Sequence, residues 1–256
     1  MGMVHMRALP SAAGYGGDLE AVFEAGLADA RALAEGGVDA IMVENFGDHP
    51  FHKGSASDPV GPDVPAALAV MARDIRQITG LPVGINCLRN DAIAALGAAK
   101  VARAEWVRVN VLAGSFDTDQ GLIEGEAARV LAYRQQLHCR AEILADLLVK
   151  HASPLTAVDP KLVALDLAER SGAHALVLSG ARTGSAVDPA FVAAIRSALG
   201  DFPLWIGSGL CADHAAQLWG LCQGVIVGSS LKEGGDVNRP VDLERVRAMR
   251  QALTRC

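Results

Sequence analysis

Eight short β-branched runs alternate with eight longer Ala- and Leu-rich stretches, and this alternation constrains the fold more than any other feature of the chain. The runs are Val4-His5, Ile41-Met42-Val43, Val83-Gly84-Ile85, Val107-Arg108-Val109, Ile143-Leu144, Leu176-Val177-Leu178, Trp205-Ile206 and Val225-Ile226-Val227. The stretches that follow them, at about 19–35, 65–79, 91–103, 123–137, 160–171, 189–199, 212–219 and 242–252, carry apolar residues at helical spacing. A strand followed by a helix, repeated, demands a parallel sheet, because each helix must carry the chain back before the next strand starts. Eight such units in 256 residues close most naturally as one α/β domain spanning 1–256, a (β/α)8 or TIM barrel. The competing arrangement is an open Rossmann-like sheet, but no G-x-G-x-x-G follows the first run.

Local signals support the periodicity. Asp159-Pro160 and Asp188-Pro189 place a capping carboxylate before a proline suited to the first helical turn, and Asp242 precedes the last stretch. The joints Gly37-Val38-Asp39-Ala40, Arg103-Ala104-Glu105-Trp106 and Ser171-Gly172-Ala173-His174-Ala175 recur as turns from helix into buried strand.

Composition narrows the partners. With 51% apolar and 20% charged residues the chain supports one large core. A net charge of -6 and no basic run argue against nucleic acid, whose phosphates need clustered Lys and Arg. Cys87, Cys139, Cys211, Cys222 and Cys256 are odd in number and lack paired spacing, which suits a reducing compartment rather than a disulfide framework or zinc ribbon. No apolar run reaches the length of a membrane span or a signal peptide, so a cytoplasmic protein, expected as a homo-oligomer, is the simplest reading.

Strand parity then places the polar residues. The residues that face the surrounding helices must be apolar, and their neighbours point into the barrel. In the fourth strand Val107 and Val109 face helices and send Trp106, Arg108 and Asn110 inward; in the fifth, Ala141, Ile143 and Ala145 send Glu142, Leu144 and Asp146 inward. Arg108 and Glu142 are expected as a deep internal ion cluster, which has a structural alternative as a register-fixing pair, with Arg108 touching Glu142 or Asp146. Glu44, Asn86, Asn110 and Asp146 end their strands, where barrel active sites are built, and are candidate catalytic groups. A carboxylate there can act as a base or hold a divalent cation, although no cofactor is otherwise implied.

The loops past the strand ends extend the site. Residues 46–62 are long for a strand-to-helix connection and are expected to cover the strand ends as a mobile or ligand-ordered lid. His49 and His52 lie in it without a second ligand pair, so no metal site is assigned. Residues 114–121 form a second polar cover, in which Asp119 and Gln120 reach the ligand or cap the next helix. Lys150 and His151 follow the fifth strand and suit an electrostatic stabiliser and a general acid or base; a solvated surface pair is equally compatible. An anion site is expected from Gly207-Ser208-Gly209 after the seventh strand and Gly228-Ser229-Ser230 after the eighth, with Arg182 and Lys232 adding positive charge.

The segments Val4-His5-Met6, Val43-Glu44-Asn45-Phe46-Gly47-Asp48, Asn86-Cys87-Leu88-Arg89-Asn90-Asp91, Arg108-Val109-Asn110-Val111, Thr118-Asp119-Gln120-Gly121-Leu122-Ile123-Glu124-Gly125, Val149-Lys150-His151-Ala152, Gly207-Ser208-Gly209 and Val227-Gly228-Ser229-Ser230-Leu231-Lys232 together resemble the BtpA family, over about residues 3 to 250. That resemblance implies a TIM barrel and a family named for photosystem I biogenesis, with relatives in organisms that do not photosynthesise. Two functions are therefore expected as competitors. One is an enzyme that acts on a small phosphorylated metabolite, a sugar phosphate or nucleotide-like compound, by lyase, isomerase or hydrolase chemistry. The other is a non-catalytic photosystem I assembly factor that uses the barrel as a scaffold; a metabolite-binding regulator would need the phosphate groups but no base.

Overall fold

The β-branched runs form the staves of a parallel barrel because both of their faces are buried, one against helices and one inside the ring. The computed structural model describes residues 1–149, 152–180, 187–207 and 209–254. In chain order its elements are β1 (Gly2–His5), α1 (Leu19–Glu35), β2 (Ile41–Glu44), α2 (Asp63–Thr79), β3 (Val83–Asn86), α3 (Ala92–Ala102), β4 (Trp106–Val109), β5 (Ser115–Thr118), β6 (Gly121–Glu124), α4 (Ala127–Gln136), β7 (Glu142–Asp146), β8 (Ala152–Pro154), α5 (Pro160–Arg170), β9 (Ala175–Leu178), α6 (Pro189–Leu199), β10 (Leu204–Gly207), α7 (Ala212–Trp219), β11 (Gly224–Ile226) and α8 (Leu243–Thr254). The barrel order is β1-β2-β3-β4-β7-β9-β10-β11, and every pairing within it is parallel. A parallel bridge between Gly2 and Val227 joins the last stave to the first, with Met3 N donating to Val227 O at 3.0 Å.

Two apolar layers follow from strand parity. Val4, Val43, Ile85, Val107, Ile143, Leu176, Ile206 and Val225 pack outward in one continuous core with Leu33, Leu68, Met71 and Leu96 of the helices. Met3, Met42, Leu144, Ala175, Val177 and Ile226 fill the barrel interior, with Trp106 and Trp205 packed against them. Burying each such large side chain contributes about 1.5–3 kcal/mol. Two strand glycines make room inside: a Cβ at Gly84 would lie 2.8 Å from Met42 Cε, and one at Gly224 would lie 2.7 Å from the Trp205 ring.

The cap signals act as read. Asp159 accepts from Lys161 N and Asp188 from Ala190 N, each ahead of a proline in the first turn, while Asp242 accepts from Glu244 N at 2.9 Å. The joints also turn as expected, with Gly37, Arg103 and Gly172 at positive φ.

One expected helix is shortened. Residues 121–124 are a strand rather than the start of a helix at 123, and α4 begins at Ala127. Asp119 and Gln120 form the tip of a β5–β6 hairpin, and β8 adds to the free edge of β5. The cause is period-2 patterning: Phe116 and Ile123 point to one face and pack with Val111 and Val149, whereas Asp117 and Leu122 point away. The cover expected at 114–121 is therefore a small antiparallel sheet and not an irregular loop.

Candidate functional site

The strand register places one polar ring around the carboxyl end of the barrel. His5 pairs in register with Glu44, Glu44 with Asn86, and Asn86 with Arg108, so four polar residues from β1 to β4 occupy one layer. All four have the inward parity of Met3 and Met42. Arg108 reaches up to the next layer and grips Asp146 side-on, Nε to Oδ1 at 2.8 Å and Nη2 to Oδ2 at 3.0 Å. Asn110 Nδ2 donates to the same Oδ2 at 2.9 Å. On the other side Asn86 Nδ2 donates to Glu44 Oε2 at 2.7 Å, and His5 Nε2 lies 3.9 Å from Glu44 Oε1.

His5, Glu44 and Arg108 of this ring line a cavity of about 640 Å³ together with Arg89, Asn110 and Asp146. That size accommodates a small metabolite. Burial alone would push the Arg108 guanidinium down, but Asp146, with a smaller part from Glu44, outweighs it and holds Arg108 above its ordinary value. Arg89 is different: burial lowers its pKa, and the opposing fields of Asp146, Asp119 and Glu44 do not fully offset that. Arg108 and Asn110 hold the Asp146 carboxyl group in place, while Glu44 sits beside an amide and an imidazole, an arrangement suited to moving a proton.

Two loops close the cavity on the β10–β11 side. Gly209, Leu210 and Cys211 line it after β10, and Gly228, Ser229 and Ser230 line it after β11. Ser230 Oγ donates to Leu210 O at 2.7 Å and ties the loops together. Gly209 has φ +73, and a Cβ on Gly228 would lie 2.8 Å from His5 Cε1, so the second loop lies directly against the polar ring. Arg245, from the first turn of α8, also lines the cavity and donates to Ser230 O at 3.2 Å.

The β2 loop adds a further wall through Phe46 and Phe51. Phe46 meets the His5 ring edge-on at 5.1 Å between centroids. This loop lies over the strand ends and is anchored along its length. Asn45 accepts from Leu88 N and donates to Asp48, Asp48 accepts from Leu9 N, and Gly47 N donates to Met6 O. Burial raises the Asp48 pKa in spite of those bonds. Gly54, at φ +78, packs so closely that a Cβ would lie 2.3 Å from Asp91 N. The loop thus covers the cavity at the strand ends, where the sequence places it.

A model of the BtpA family matches residues 1–255. The chain belongs to the BtpA family. Photosystem I biogenesis protein BtpA of Synechocystis sp. is 44% identical over 253 residues, covering 99% of this chain and 87% of that protein. Among solved structures, orotidine 5'-phosphate decarboxylase from Pyrococcus horikoshii OT3 superposes with a TM-score of 0.60 at 15% identity, covering 99% of both chains. N-(5'-phosphoribosyl)anthranilate isomerase from Pyrococcus furiosus gives 0.58 at 13% identity, covering 100% of this chain and 98% of that one. At such identities the likeness establishes the barrel and nothing finer.

In this BtpA-family chain the structure brings together Glu44, Asn86, Asn110, Asp146 and Arg108, with Asp119 at the cavity edge from the β5–β6 tip. Gln120 instead turns its amide onto Asp119 at 2.6 Å. Glu142 does not join the ion cluster: it is the first residue of β7, exposed at the amino-terminal rim, where it accepts from Trp106 Nε1 at 3.2 Å. Parity gives its side but not its depth, and it stands at the opposite end of the strand from Asp146. Lys232 is also elsewhere, buried and paired with Asp29 of α1 rather than facing an anion. Gly207 is the last residue of β10 and not a turn residue. Lys150, His151, Arg182 and Ser208 lie outside the described residues.

His5, Arg89 and Arg245 are cavity residues that the sequence reading did not single out. The parity argument would have found His5, since Val4 faces the helices and sends Met3 and His5 inward. No helix among the described residues is long and apolar enough to cross a membrane.

Proposed function

We propose that the cavity binds a small phosphorylated metabolite and that the chain acts on it by proton-transfer chemistry of the lyase, isomerase or hydrolase kind. The observation that carries this reading is the meeting, in one cavity at the carboxyl end, of a polar ring with two linked glycine loops after the last two staves. Barrels commonly bind phosphate at those two loops, where glycine leaves backbone N–H groups open to an anion. Gly209, Gly228, Ser229 and Ser230 take the phosphate, with Arg245 adding charge. Glu44, beside His5, exchanges the proton; Arg108 with Asp146 and Asn110 orients the reacting end and stabilises developing negative charge. Lys150, His151, Arg182 and Ser208 join the assignment from their sequence positions alone. The Synechocystis relative's name supports the competing scaffold role, which requires no ligand in the cavity.

Gly228→Val separates these readings, because its side chain would occupy the space between the glycine loop and His5. Calorimetric titration with inorganic phosphate is expected to show binding to the parent and at least about tenfold weaker binding to the folded variant, the loss of about 1.4 kcal/mol. Equal affinity for both proteins rejects the phosphate assignment.

A further inference from the structure

A second, smaller cavity of about 170 Å³ adjoins the ligand cavity. Phe51 and Leu88 line both spaces, so these two side chains form the partition between them, whereas Ser11, Ala12, Asn45, Asp48 and Val64 line only the smaller one. The two halves of the partition are mounted differently. Leu88 is 7% exposed, and the Asn45 amide holds its backbone on both sides, accepting from its N–H at 2.7 Å and donating to its carbonyl at 3.3 Å. Phe51 is a half-buried loop residue whose ring meets that of His49 edge-on at 6.4 Å between centroids. A phenyl ring makes no conventional hydrogen bond, so truncating Phe51 opens the partition without leaving a polar group unpaired.

The other walls of the annex are tied down independently of that ring. Asp48 accepts from Leu9 N at 2.8 Å and from Asn45 Nδ2 at 2.9 Å, Ser11 N donates to Asp63 of α2 at 3.0 Å, and Val60 N donates to Asp91 at 3.2 Å. The backbone next to Phe51 is held as well, since His52 O accepts from Arg89 N at 3.2 Å. An annex bounded in this way persists when one ring leaves it, and cavities of about 150 Å³ hold a benzene ring. We infer that Phe51 is the specificity-determining residue that sets the length of ligand the cavity takes, its ring shutting off an annex with room for one further ring-sized neutral group. This deepens the phosphate reading and rests on it for the anchoring of the ligand's other end.

The test is calorimetric titration of the full-length parent, Phe51→Ala, Ala12→Leu and the double variant with methyl phosphate and with the phenylalkyl phosphates from phenyl to 4-phenylbutyl phosphate. The readout is the affinity of each phenylalkyl ester relative to methyl phosphate in the same protein, which cancels any effect of a substitution on the phosphate group itself. For at least one ester this ratio should rise about tenfold or more in Phe51→Ala, the gain from burying a ring. Ala12→Leu fills the annex from a wall that the ligand cavity does not share, so it should remove that gain in the double variant and leave the ratio of the parent unchanged. Phe51→Leu, a milder truncation, replaces Phe51→Ala if the latter does not fold. No rise in the ratio overturns the inference. So does a rise that Ala12→Leu leaves intact, since the ring then fills only the space Phe51 vacated, and so does a parent ratio that Ala12→Leu lowers, since the annex is then already open. If no phosphate ester binds any of the four proteins, the phosphate reading falls and a crystal structure of the Phe51 variant decides the inference: one continuous cavity upholds it, and a partition re-formed by the loop overturns it.

Discussion

Arg108→Met is expected to destabilise the barrel by about 3–5 kcal/mol, because it leaves Asp146 as a buried carboxylate without its cation. The two side chains are 7% and 1% exposed, so the bonds lost are made in a site largely shielded from bulk water. Asn110 would remain as the single described donor to Asp146, and one neutral amide does not offset a buried charge. Urea unfolding should show the loss as a lower midpoint with an unchanged slope. Arg108→Met combined with Asp146→Leu removes both charges and should recover much of the stability, since replacing a whole buried pair by apolar groups is far less costly than breaking it. The double variant should still fail to bind phosphorylated ligand. A single variant within about 1 kcal/mol of the parent would mean that solvent or another cation reaches Asp146.

Lys232→Met should cost a similar amount, about 3–5 kcal/mol, at a position that has nothing to do with ligand. Lys232 is 1% exposed and pairs with Asp29 of α1, which also accepts from Val241 N at 2.7 Å. The pair ties the first helix to the segment after the last stave, 203 residues apart, and so secures the seam where the barrel closes. Removing the ammonium strands Asp29 among buried groups. In Asp29→Leu with Lys232→Met the ion cost disappears but Val241 N–H loses its acceptor, so a deficit of about 1–3 kcal/mol should remain. Phosphate affinity of folded Lys232→Met should equal that of the parent. A large fall in affinity without a fall in stability would return Lys232 to the anion site.

The barrel was legible because its signal is repeated. Each stave needs apolar residues on its helix side, and each helix needs an apolar stripe, so eight units reinforce one another even where a single run such as Val4-His5 is short. The same parity put Asn110 and Asp146 into one cavity with Arg108. Depth was not legible, as Glu142 shows: alternation tells inside from outside but not which rim a residue reaches. Lys232 misled for a related reason, since nothing local reveals that a distant helix brings Asp29 to it. The β5–β6 hairpin escaped because Leu122 and Ile123 run directly into a helix-forming segment, and its third strand comes from beyond β7. Arg89 and Arg245 sit on a turn and a helix end, where no periodicity assigns direction.

The most direct test of the account is native mass spectrometry of freshly purified protein, followed by denaturation and phosphorus analysis of whatever is released. The parent chain should carry a small phosphorus-containing molecule, and Gly228→Val and the Arg108→Met/Asp146→Leu double variant, each folded, should have lost it. A parent that repeatedly shows only its bare mass, and gains none when saturated with sugar phosphates and other phosphorylated metabolites, would contradict the assignment of the cavity as a phosphorylated-ligand site.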